Sequence, residues 1–391
     1  MVLLNGARQA GKRTLARLAA RRRSAVWHSF DKAVTRAAAA FDPDDFVCSD
    51  RMIVIDEVQR HPEILLAIKA RVDEQPRPGS FLLTGSARVM GLRSVPDALP
   101  GRLETIELWP FSQGEVDGQP DGFIDRVFGQ VDGVRPTSDL VKADYADRIA
   151  RGGLPEAVSR SGRRRTAYFR NYVADLINRD VNQVAEIQRG PEFRALLRLA
   201  AARSGAPLNA ASLGSAAGLA AGTVSKYLAT ANQAFLVKLI PAWSRGQTGR
   251  VTRRPKLAFV DSGVACHLLG QNEQTLLRLG GPLGGLLDGF AAMELARQAT
   301  WSATEAEIFH YRTKDQVEVD LVLEDRLGRV VGIEVKASST VRGEDFRGLR
   351  HLAARIGDDF LQGIVLHTGP QTLSFGPKLL AMPLSAIWTV G

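Results

Sequence analysis

Nowhere in the 391 residues does an apolar stretch reach the roughly 20 residues needed to cross a bilayer, because Arg, Asp or Glu interrupts every candidate. No membrane span is expected. The opening MVLLNGARQAGK lacks the apolar core and cleavage site of a secretory signal and runs directly into a motif, so a cytoplasmic location is expected. Cysteine is nearly missing. Cys48 and Cys266, far apart in sequence, support neither a disulfide framework nor a cysteine-rich zinc site. Internal repeats and low-complexity tracts are absent too. What remains is an ordinary globular composition, 45% hydrophobic and 24% charged, in a chain long enough for two or three domains. The net charge of +9 and pI near 9.8 suit a phosphate-rich partner such as DNA, and are also what an Arg-rich genome produces.

Short apolar strands alternate with helical patterns at the start: Val2 to Leu4, a helix from Lys12, Met52 to Ile55, Phe81 to Leu83. This is the rhythm of a parallel α/β sheet. The Gly-, Asp- and Pro-rich stretch Gly114 to Pro136 reads as a lid, insertion or linker. A helical region follows, with Tyr168, Tyr172, Leu176 and Ile177 at helix spacing. Residues Leu208 to Trp243 read as helix, turn, helix and an apolar strand, the outline of a winged helix. Beyond Gly280 to Gly285, a helix through Glu294 and strands at Val317 to Leu323 and Val330 to Val335 imply a second α/β domain. The expected division is 1–136, 137–205, 206–275 and 276–391.

Gly6-Ala7-Arg8-Gln9-Ala10-Gly11-Lys12 joins a predicted strand to a helix, the context of a phosphate-binding loop for ATP. The glycines let backbone N–H groups turn toward phosphate oxygens at the positive end of the helix, and Lys12 would neutralise the β- and γ-phosphates. The position that should offer a hydroxyl to Mg²⁺ is Arg13. A guanidinium cannot ligate a metal, and Thr14 points about 100° further round the helix. Arg13 either supplies part of the charge Mg²⁺ would bring or faces solvent over a weakly bound nucleotide, so binding is the firmer expectation and hydrolysis the weaker. Asp56 and Glu57 end an apolar strand, where an Asp would hold the Mg²⁺ shell and a Glu polarise the attacking water. Thr84-Gly85-Ser86 ends another. Ser86 is either a γ-phosphate sensor or ordinary turn chemistry.

With Gly101-Arg102 and Leu108-Trp109-Pro110-Phe111-Ser112 added, the first 115 residues resemble archaeal-type AAA ATPases. That resemblance implies ring-like homo-oligomers and makes Arg102 a candidate for charge stabilisation across a subunit contact, beside the plainer reading of a structural Arg. Relatives of this type usually carry a segment ahead of the first strand.

Ala211 to Gly218 and Thr223 to Thr230 are spaced as two helices across a turn, with Thr223, Ser225 and Lys226 able to meet phosphates or bases. A single basic residue there equally suits a protein contact. Glu318-Val319-Asp320 and Glu334-Val335-Lys336 follow on successive strands. Their order resembles the restriction-endonuclease-like PD-(D/E)xK fold, which implies Asp320 and Glu334 as Mg²⁺ ligands, Lys336 as the activating lysine, and Asp288 or Glu294 as the helix acid. Strand alternation puts Glu334 and Lys336 on one face. The alternative is a degenerate site that keeps these charges as a buried ion cluster. With Arg151-Gly152-Gly153-Leu154-Pro155-Glu156 and the run Pro255 to Gly263, nearly the whole chain is similar to prokaryotic predicted ATP-binding proteins having an N-terminal AAA domain and a C-terminal domain of unknown function. Lys256 and Asp261 in that run read as a salt bridge or turn.

Overall fold

In the computed structural model, residues 1–86, 101–119, 121–129, 135–181, 190–246, 250 and 254–390 are described. The chain is mixed α/β, with a parallel five-stranded sheet at the N-terminus, a helical middle and a mixed sheet at the C-terminus. It forms two compact units, Met1–Pro110 with Asp175–Gln188 and Ala229–Leu236, and the remainder.

The first unit is built on β1 (Val2–Gly6), β2 (Ala25–Ser29), β3 (Met52–Asp56), β4 (Phe81–Gly85) and β5 (Glu104–Leu108), in the order β2-β3-β4-β1-β5, all parallel. β1, β3 and β4 read as nearly unbroken apolar runs because both faces of the sheet are covered. Alternation divides them. Leu3, Ile53, Ile55, Phe81 and Leu83 face the core that holds Ile64, Leu65 and Ile68 of helix α2 (Ile64–Glu74). Leu4, Val54 and Leu82 face Ala16 of helix α1 (Lys12–Ala20). Because the strands are parallel, the loop after Gly6, the Asp56-Glu57 corner and the turn after Gly85 all emerge at the same sheet edge, where α/β sheets bind ligands.

In the second unit, helices α3 (Lys142–Arg151), α4 (Gly162–Asp175) and α5 (Gly190–Ala202) lead to α6 (Ala210–Ala217) and α7 (Ala221–Gln233), whose last turn belongs to the first unit. Gly218 ends α6 in the left-handed conformation, and β6 (Val237–Ile240) pairs antiparallel with β7 (Lys256–Phe259). Helix α8 (Ser262–Leu268) follows, then α9 (Leu283–Gln298), which is buried nearly all round and packs on β7 and on the six-stranded sheet that follows it. That sheet runs β12-β13-β11-β10-β9-β8, from β8 (Ala306–Arg312), β9 (Glu318–Asp325), β10 (Val330–Lys336), β11 (Phe360–His367), β12 (Leu373–Ser374) and β13 (Leu379–Pro383). Helix α10 (Arg347–Ile356) lays Leu349, Leu352 and Ile356 into its core.

Part of the stretch expected to be a lid or linker is instead short helix. Residues 113–117 are capped by Ser112, and 123–128 bury Phe123, Ile124, Val127 and Phe128. Residues 120 and 130–134 of that stretch lie outside the described residues.

Helix α10 approaches β9 so closely that a Cβ on Gly348 would lie 1.8 Å from the carbonyl oxygen of Glu318, two residues before Asp320. Gly348→Ala is expected to destabilise the chain by about 2 kcal/mol or more, read from denaturant unfolding, because the obstructing atom is backbone and cannot rotate away.

Candidate functional site

In the first unit the loop between β1 and α1 needs its glycines. A Cβ on Gly6 would lie 2.0 Å from the Leu108 carbonyl oxygen, and Gly11 caps α1 with φ near 100°. Gln9 also sits in the left-handed region, with φ near 59°. Ala10 N–H closes the turn onto the Ala7 carbonyl at 3.2 Å. The first turn of α1 carries no acidic side chain of its own to offset the positive end of the helix. Lys12 is buried, and its ammonium donates to the carbonyls of Gly6 at 2.9 Å and Ala7 at 2.7 Å. Arg13 and Thr14 are exposed on the helix.

Asp56, buried at the end of β3, has both oxygens engaged. Oδ1 accepts from Thr84 Oγ1 at 2.6 Å, and Oδ2 lies 3.5 Å from Nε of Arg13. Glu57 turns through the left-handed region, φ near 61°, and donates its N–H to Thr84 Oγ1 at 3.2 Å. The Glu57 carboxylate accepts from Gln59 Nε2 and from Ser86 Oγ at 3.3 Å, and Gln59 also donates to Ser86 Oγ at 2.8 Å. Lys12, Arg13, Asp56, Glu57 and Ser86 thus share one sheet edge, with Thr84 and Gln59 as connecting groups. Gln59 left no sequence signal beyond lying two residues after the acidic pair. Arg102 pairs with Asp73 of α2.

In the second unit Asp320, Glu334 and Lys336 do come together, and two further charges join them. Lys256 of β7, 4% exposed, reaches Asp320 Oδ1 with its ammonium at 2.9 Å, while Asp320 Oδ2 accepts the Val335 N–H at 3.1 Å. Lys336 Nζ lies 2.8 Å from Glu334 Oε1, and Glu334 Oε2 is buried with no hydrogen-bond partner among the described residues. Burial, then Asp320, pushes the Glu334 carboxyl up to about 7 against the pull of Lys336. The Asp288 carboxyl is raised well above its ordinary value by burial, then Asp320 and Glu334, against Lys256 and Lys336. Burial opposes the charge on Lys256, but Asp320 and Asp288 hold its pKa above the ordinary lysine value. Two ammonium groups, of Lys256 and Lys336, thus share this cluster with three carboxyl groups, of Asp288, Asp320 and Glu334.

Asp288 joins this cluster and Glu294 does not. Six residues apart on α9, they point about 240° apart round the axis. Glu294 instead pairs with Arg297 and accepts the Gln113 N–H at 2.8 Å. Asp261 is a cap: its carboxylate accepts the N–H groups of Val264 at 3.0 Å, Gly153 at 2.7 Å and Leu154 at 3.0 Å, tying the Arg151 to Glu156 run to the start of α8. On α7, Ser225 and Lys226 are exposed and Thr223 is half-buried; Ser225 Oγ donates to the Ala221 carbonyl one turn back. Among the described residues no group of three or more His, Cys, Asp or Glu is placed to hold a metal ion, and no helix is long and apolar enough to cross a membrane.

Residues 1–117 match the family described as AAA domain. The N-terminal segment is of AAA type. Residues 142–275 and 283–387 match two families described as domains of unknown function, DUF8612 and DUF4143. Uncharacterized proteins of Mycobacterium tuberculosis and Mycobacterium bovis are each 28% identical to this chain over 397 residues, covering all of it and 81% of themselves. An AAA domain joined to C-terminal domains of unknown function is therefore the layout, and the AAA domain points to nucleotide binding.

Two outcomes follow for the second unit. Lys256→Met strands the largely buried Asp320 and is expected to cost about 3 kcal/mol in denaturant unfolding, part of it regained when Asp320→Asn is added. The His310 ring is buried, with Nε2 3.0 Å from the Arg254 carbonyl, and burial, then Lys256, lowers its pKa from 6.5 to about 4. The unfolded chain therefore takes up this proton first, and stability drains away as pH falls from 6.5 toward 4. His310→Gln is expected to flatten that slope in a pH series of unfolding curves.

Proposed function

We propose that the chain is a nucleotide-dependent switch: the N-terminal unit binds a nucleoside triphosphate at the loop 6–12, and its state sets the activity or binding of the C-terminal half. The observation that carries this reading is the loop itself, with Gly6 against Leu108, Gly11 left-handed at the head of α1, and Lys12 at the loop's mouth. Backbone groups from Gly6, Arg8, Gln9, Ala10 and Gly11 would cradle the phosphates, Lys12 would neutralise them, and Arg13 and Thr14 would stand at their edge. Asp56, Glu57 and Ser86 would face the terminal phosphate. Turnover is expected to be slow, because the Glu57 carboxylate is held by Gln59 and Ser86. The division at 136, 205 and 275 remains our proposal for the domains. In it, α6, α7, β6 and β7 supply a winged-helix element that, with the +9 charge, suits DNA, and the AAA type suits a homo-oligomer.

A second reading makes the C-terminal half a restriction-endonuclease-like, metal-dependent DNA nuclease. It is favoured by the strand placement of Asp320, Glu334 and Lys336 and by the unpartnered Oε2 of Glu334. Mg²⁺ does not fit these side chains as they stand, since Lys256 and the Val335 N–H occupy both oxygens of Asp320. No step is derived through a metal there.

Lys12→Ala is expected to weaken ATP binding at least about tenfold by calorimetry, the loss of roughly 1.4 kcal/mol or more. Equal affinity in the variant, or no nucleotide binding by the native chain, would end the switch reading. DNA cleavage that requires Mg²⁺ or Mn²⁺ and disappears in Lys336→Ala would favour the nuclease instead.

A further inference from the structure

A phosphate loop of this kind implies a Mg²⁺ ion held by a hydroxyl directly after the lysine and, through its shell, by the Asp at the end of the neighbouring strand. The residues here do not fit that ion. The hydroxyl position is Arg13, and Thr14 points into solvent from the next position on α1. The strand acid Asp56 is 3% exposed, with one oxygen taken by Thr84 Oγ1 at 2.6 Å and the other facing Arg13 Nε at 3.5 Å. A cation already stands where the metal would, and it belongs to the chain.

We propose that the loop binds its nucleotide as the metal-free polyphosphate, with the Arg13 guanidinium, anchored on Asp56, in place of Mg²⁺. This rests on the nucleotide-binding reading above. A guanidinium stays protonated at every working pH and its fork of N–H donors matches two phosphate oxygens at once. With Nε turned toward Asp56, the two terminal nitrogens carry four N–H groups for the β- and γ-oxygens. The Arg13 side chain is 52% exposed, which leaves its outer end open to a ligand arriving from solvent. Lys12 provides the second positive charge from inside the loop, where its ammonium now rests on the Gly6 and Ala7 carbonyls. A Mg²⁺ carried in on the nucleotide would meet the guanidinium as a like charge, so the ion works against binding here.

The experiment is calorimetric titration of ATP into the full chain, once with EDTA and once with excess Mg²⁺, repeated with Arg13→Thr. The native chain is expected to bind at least as tightly in EDTA as in Mg²⁺. Arg13→Thr, which restores the hydroxyl and frees Asp56, is expected to bind about tenfold more tightly with Mg²⁺ than without. Native binding that needs Mg²⁺ by that same factor would overturn the proposal and leave the nucleotide reading intact. No binding by the native chain in either buffer would end both. The comparison within the native chain decides the matter even if the substituted chain does not fold.

Discussion

A carboxylate taken out of water is tolerated only if a cation or several hydrogen-bond donors go with it. That constraint organises both units. Asp56 has Arg13 and Thr84, Asp320 has Lys256 and the Val335 N–H, Glu334 has Lys336, and Glu294 has Arg297 and the Gln113 N–H. Asp261 is served by three backbone N–H groups. Asp288, the third carboxyl of its cluster, has its pKa raised well above the ordinary value, first by burial. The pairings of Asp56, Asp320, Glu294 and Asp261 each tie one element to another, so these acids also register the strands and helices around them.

The same pairings decide what chemistry is within reach. In the second unit Asp320 and Glu334 lie on adjacent strands, and in the first Asp56 and Glu57 follow one another at the end of β3, so each sheet delivers its acids to a common edge. Enzymes that use such edges generally place a divalent ion between acids and phosphate. Here Asp56 already faces a guanidinium of the chain in the first unit, and Asp320 and Glu334 each face an ammonium group in the second. Binding a polyanion remains compatible with that arrangement, since Lys12, Arg13 and Lys336 still present donors outward or across the loop. The second unit differs in one detail: Oε2 of Glu334, whose own carboxyl is raised to about 7, is buried with no hydrogen-bond partner among the described residues.

Much of this was legible in the sequence. Parallel strands buried on both faces must be apolar throughout, so VLL, MIVI and FLL announced β1, β3 and β4, and the glycines and lysine after β1 announced the loop. The alternation in β9 and β10 located Asp320, Glu334 and Lys336, with element ends within one or two residues of expectation. The two strands of the first sheet that escaped notice are its edge strands. Ala25–Ser29 is half-buried and Glu104–Leu108 is largely exposed, so neither bears an apolar signature. Lys256 read as a salt bridge or turn, but the sequence did not point to its partner, because Asp320 lies 64 residues away. The choice between Asp288 and Glu294 was open in one dimension; the 240° between them closes it only once the cluster's direction from α9 is known.

We propose for both units that a cation of the chain stands where a metal would. Uptake of Mn²⁺ by the nucleotide-free chain, followed as loss of the free-ion signal in electron paramagnetic resonance, tests it at both sites together. The claim predicts no saturable uptake at micromolar ion. One or two tightly held ions per chain, lost in Asp56→Asn or Asp320→Asn, would contradict it.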